Sequence, residues 1–192
     1  MDEMSNEDRY FLEREAEMRD NWRGELEAKA KTAAGHQAIG EKIGVNDEQL
    51  AKRIGALGFE GETAKLLHLM PLVAVAWADG SVSSNERKVI VQAAVAHGVE
   101  PDDAAGRMLA SMLEQRPSAT VLDQILAVLK DMLAAKGMHP TDVLQTCLDV
   151  AEASRGFMGF GEKISGNERG VIEQIAATFG DEAQQQVAQR LE

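Results

Sequence analysis

One stretch of this 192-residue chain combines residue types and spacing that suit a hard cation: Asp79-Gly80-Ser81-Val82-Ser83-Ser84-Asn85-Glu86. It offers an acid, a glycine for a tight turn, an apolar anchor, oxygen-bearing side chains and a glutamate inside the helix that follows. Calcium needs many oxygens gathered around a bend, and a helical glutamate can close the shell with both carboxylate oxygens. The stretch fits the back half of an EF-hand loop. The front half is missing, since the positions for further acids hold Val75 and Trp77. It is therefore not an EF-hand, and two carboxylates alone bind a hard cation weakly. A structural reading fits the same residues. Ser83-x-x-Glu86 and Ser165-x-x-Glu168 are both capping boxes, in which serine and glutamate satisfy free amides at a helix start. The turn alone accounts for Gly80. Asp79 is harder to explain this way, because an acid at the mouth of a buried apolar helix needs a partner.

No catalytic constellation accompanies this stretch. The histidines His36, His68, His97 and His139 are scattered, with no HExxH or Cys/His cluster, which argues against zinc. No GxSxG elbow, Walker loop or paired CxxC occurs. The chain is expected not to be an enzyme. Cys147 lies in an apolar helical pattern with Val143, Leu144 and Leu148 and reads as a buried, inert thiol. Phe157 and Phe160, in a glycine-rich loop, are expected to tuck back onto the body.

Composition narrows the partners. The formal charge of −12 repels phosphate backbones and anionic lipid faces, so nucleic acid and membrane surfaces are poor partners. Cations and basic proteins suit it better. A single cysteine fits a reducing compartment. The N-terminal residues are charged from Asp2 onward and resemble no signal peptide. The longest apolar run, over residues 69–78, is too short to span a bilayer. The expected location is the cytoplasm.

These residues must be positioned by helices. An aromatic content of 4%, four prolines and no run of alternating β-branched residues argue against a sheet. Ser5 is placed to cap a charged first helix with a thin apolar stripe of Phe11, Met18, Trp22 and Leu26. A bend is expected between Lys31 and Gly44, then a short helix capped by Asn46 and ending near Gly58. Residues 63–78 read as the central buried helix, kinked or restarted at Pro71. Further helices are expected from Ser84 to Gly98, from Pro101 to Pro117, after Ser118, from Thr141 to Ser154, from Asn167 to Phe179 and from Asp181. The division that follows is an arm over residues 1–58 and a helical domain over 59–192. The arm is expected to dock on the bundle or to meet another protein, including a second copy of the chain.

The chain also repeats itself. Residues 82–98 laid over 164–180 without gaps give nine identities in seventeen positions, among them Ser83/Ser165, Glu86/Glu168, Arg87/Arg169, Ile90/Ile172 and Gly98/Gly180. A duplicated helical unit accounts for that match. His97 falls opposite Phe179, which marks it as a packing residue.

The string from Val73 to Arg87, an apolar helix followed by alanine-acid-glycine, an aliphatic residue and a helix-opening glutamate, resembles the signature of the TerB family. These are tellurite-resistance-associated helical domains, also found at the N-terminus of the co-chaperone DjlA. The likeness covers residues 63–191. It implies an all-α, compact bundle of about seven helices with internal pseudo-two-fold symmetry, here with an N-terminal helical arm added. It implies a non-enzymatic role in tellurite, oxyanion or envelope stress, with acidic residues holding a divalent cation such as calcium or magnesium. Carried over residue by residue, it points to Asp79 and Glu86, with Glu168 as the counterpart in the second copy. The alternative is a structural adaptor whose acids serve only as helix caps.

Overall fold

Pro71 decides how the centre of the molecule is built, because proline inside a helix removes a backbone donor and crowds the preceding turn. In the computed structural model, which describes residues 6–139, 141, 143–145, 147–148 and 165–191, the apolar run divides there. It forms a 3-10 helix over Gly61–Leu69 and then an α-helix over Met70–Ala76 with the proline in its first turn. Every residue of Met70–Ala76 is buried. The central helix is thus restarted at Pro71 rather than kinked.

Around this axis stand α1 (Asn6–Ile43), α2 (Glu48–Ala56), α3 (Met70–Ala76, the axis itself), α4 (Ser84–Ala96), α5 (Ala104–Glu114) and α6 (Ala119–Ala135). Following the helical residues near Leu144 and Cys147, α7 (Gly166–Phe179) and α8 (Asp181–Leu191) complete the chain. The described residues contain no strand. The 3-10 helix packs on α1, α4, α5 and α6, and α3 packs on α4, α6 and α7. The architecture is an all-α helical bundle, and no helix among the described residues is long and apolar enough to cross a membrane.

Three expected boundaries move. The bend between Lys31 and Gly44 does not occur; α1 runs unbroken to Ile43 and turns at Gly44, whose φ is 71°. Glycine inside a helix costs about 1 kcal/mol relative to alanine. Burial of Ile39 and Ile43, four residues apart on one face, offsets that cost. Gly40 is needed where it stands, since a Cβ there would lie 2.9 Å from the Val45 carbonyl oxygen. Along α1 the passage from exposed helix to core falls between Gly35 and Ile39. The second shift is at Pro101, which lies in a turn. Helix α5 instead starts after Asp103, whose carboxylate accepts from the Gly106 amide at 2.6 Å. The turn folds so tightly over Gly106 that a Cβ would meet the Glu100 oxygen at 2.1 Å. A smaller shift puts the α2 cap on Asp47, one residue past Asn46, accepting from Leu50 at 3.0 Å.

Other features match the sequence. Ser83, Ser118 and Ser165 cap their helices, and Gly80, Gly98 and Gly137 take the left-handed conformation that ends a helix. Cys147 is buried, and burial pushes its thiol up to about 12, which keeps it protonated and inert. Ser5, Ser154, Phe157 and Phe160 lie outside the described residues.

The duplication is visible in three dimensions. Ile90 and Ile172, and likewise Ala94 and Ala176, face the core in their respective copies. The matched arginines also act alike. Arg87 donates to the Leu113 carbonyl at the end of α5, and Arg169 donates to the Leu191 carbonyl at the end of α8. In each copy the arginine satisfies a free carbonyl at the end of the following helix.

Candidate functional site

The turn after α3 sends Asp79 out of the apolar axis. Ala78 and Gly80 are held by turn hydrogen bonds to Val75 and Trp77, and the positive φ of Gly80, 86°, lets the chain reverse into α4. The Trp77 indole fixes the root of this turn by donating to the Met112 carbonyl at 2.9 Å. Asp79 is exposed and points at the start of α7, 86 residues away in sequence. Both of its carboxylate oxygens approach the Ser165 hydroxyl, at 3.3 and 3.4 Å.

The same hydroxyl lies 2.9 Å from Oε2 of Glu168. That glutamate also accepts from the Ser165 amide at 2.8 Å, while the Glu168 amide donates to Ser165 Oγ at 3.2 Å, closing the capping box. Glu168 is 3% exposed, a buried carboxylate at a helix start. A carboxylate there gains from the positive end of the helix dipole. The first copy of the unit thus lays its acid across the opening of the second copy's helix.

Glu86 stands differently. Its Oε2 accepts from the Ser83 amide at 2.7 Å and its own amide donates to Ser83 Oγ at 3.2 Å, a complete capping box on a half-buried residue. Of the three candidate acids, Asp79 and Glu86 were expected as a pair with Glu168 as the counterpart in the second copy; the structure instead brings Asp79 and Glu168 onto one hydroxyl and shows Glu86 engaged in its own helix cap. Among the described residues no group of three or more His, Cys, Asp or Glu side chains is placed to hold a metal. The oxygen set at hand is two carboxylates and a serine, which suits a hard cation better than a soft one.

Ser165 is the member that sequence reasoning assigned only to a cap. Its repeat position was legible, but the approach of Asp79 from the other copy was not, because no local pattern encodes it. His97, expected to pack as Phe179 does, is exposed at the end of α4, whereas Phe179 is buried. A concavity where α1 meets α2 is lined by His36, Glu41, Asp47 and Glu48 among others, and none of Asp79, Glu86 or Glu168 belongs to it. The chain matches no family model, no curated protein and no solved structure.

Proposed function

We propose that this chain is a non-enzymatic, TerB-like module that binds a divalent cation weakly and works through protein contacts in an oxyanion or envelope stress response. One observation supports the cation above the rest: two carboxylates converge on one hydroxyl, and a hydroxyl carries a single proton. When the Ser165 proton serves Glu168, the oxygens of Asp79 face another oxygen. A calcium or magnesium ion would turn that excess of acceptors into ligands, with Asp79, Ser165 and Glu168 supplying oxygen and water the remainder. Glu86 then serves as a helix cap. The repeated helical unit and its buried central segment support the family resemblance.

Calorimetric titration of metal-stripped protein with calcium, magnesium, manganese and zinc tests this reading. A bound ion raises the melting temperature, since a ligand at 100 times its Kd adds about 2.7 kcal/mol to the folded state. Asp79→Asn should abolish that gain. It should leave the metal-free protein as stable as before or slightly more so, because the amide supplies a missing donor and removes a charge beside Glu168. No heat and no melting shift at millimolar ion would leave the adaptor reading, which the two complete capping boxes support.

A further inference from the structure

The exposed part of α1 carries an apolar stripe that the described residues of the body leave uncovered. Every residue from 17 through 35 is exposed, so this stretch of the helix presents its side chains to solvent. Most helical stability in proteins comes from packing one apolar face rather than from propensity. The face is present: Met18, Trp22 and Leu26 are 46, 61 and 67% exposed and succeed one another at four-residue spacing. Together with Arg19, Arg23, Glu27 and Ala30, Trp22 and Leu26 line a shallow groove along the helix.

The charges flanking this seam say what fits it. About a two-fold axis through Trp22, an antiparallel second copy places each position opposite the one equally far on the other side. Met18 then meets Leu26 of the second copy, Trp22 meets Trp22, and Arg19 falls beside Glu25 of the second copy. One turn further out, position 15, a glutamate, falls opposite position 29, a lysine. At about 100° per residue all of these lie within about 60° of Trp22, whereas Glu17 and Glu27 lie about 140° away, Glu27 at the outer edge of the groove, and turn away from each other across the pair. A parallel pairing in register would set position 15 against itself and position 29 against itself, placing like charges across the seam. The body begins to bury side chains only at Ile39, so an overlap from position 11 to position 33, about 34 Å of helix, leaves both bodies clear.

We propose that a second copy of this chain covers the arm, as an antiparallel helix pair about Trp22. The proposal deepens the reading of the arm as a contact surface and does not depend on the cation site. Sedimentation of the full chain should show a concentration-dependent dimer, and Trp22→Ala should weaken it at least about tenfold. Arg19→Glu and Glu25→Arg should each weaken the dimer, and the double exchange should restore it, which loss of helix alone cannot explain. Mixing M18C protein with L26C protein under mild oxidation should give a disulfide between the two variants, while buried Cys147 stays reduced. A monomer throughout, a dimer indifferent to Trp22→Ala, failure of the double exchange to restore pairing, or M18C linked to itself in preference to L26C would each overturn it. Calcium titration of the Trp22→Ala protein separates the two readings, since ion binding there is expected to persist.

Discussion

Helices α4 and α7, with their caps, belong to segments that share nine residues at matched positions, and they open in the same capping box, but they are buried to different depths. In α4 only Ile90 and Ala94 are buried, and Val91 and Val95 remain exposed; in α7 the buried set is Glu168, Ile172, Ile175, Ala176 and Phe179. The shared positions build the cap and the inner face. The unshared ones set the depth, since Ile175 and Phe179 replace Ala93 and His97 and carry more apolar surface inward. Depth in turn changes what the capping glutamate is. Glu86 is half-buried and serves its own helix, whereas Glu168 is enclosed and shares its serine with an acid from the other copy. Duplication kept one local device and let burial give it a second role.

The largest test of this contrast lies at the helix ends. Phe179→Ala should cost about 3–5 kcal/mol, while His97→Ala, a surface change, should stay within about 0.5 kcal/mol, both read by urea unfolding. Comparable losses would break the contrast. A middle-sized effect is expected at the first cap, where Glu86→Ala removes the box and should cost about 0.5–2 kcal/mol. Glu86→Gln should retain most of that stability, and identical melting temperatures for all three proteins would remove the cap from the account.

The smallest effect concerns charge. His68, in the 3-10 helix, is held below its ordinary value of 6.5, first by burial and then by the nearby charges of Lys136 and His97. The folded chain therefore prefers neutral His68, while the unfolded chain takes up a proton at higher pH. Stability is complete above the ordinary histidine value and declines as pH falls through it. His68→Gln should flatten the decline between pH 7 and 5, and His97→Phe, the residue of the second copy, should reduce it slightly. Asp103 adds a separate acid limb. Its bond to Lys65, then that to the Gly106 amide, hold its carboxyl down to about 2, so its contribution is present above its ordinary value of 3.8 and lost as pH approaches 2. A pH series of thermal melts on the wild-type and variant proteins checks both limbs.

Most of the bundle was legible because its punctuation is local. Ser83, Ser118 and Ser165 start helices, and Gly98 and Gly137 end them, through hydrogen bonds made within a few residues. The exceptions are set by tertiary contact. Gly35 and Gly40 suggest a bend, but Ile39 and Ile43 find core to pack on and the helix continues. Gly106 looks like an unremarkable helical residue until the Pro101 turn is folded over it. At the candidate site, the acid and both capping boxes could be read from the chain. The meeting of Asp79 with Ser165 could not, because it depends on how the two copies are set against each other.

The chain's two tryptophans give it a built-in optical readout. Trp77 is buried, with its indole bonded to the Met112 carbonyl beside the Asp79 turn, while Trp22 stands in solvent on the arm. Their emission should separate into a blue, protected component and a red component open to iodide or acrylamide. Loss of protection in the blue component would signal opening of the body near the turn. Loss of quenching in the red component would signal a cover over the arm, so a single fluorescence titration follows both ends of the molecule at once.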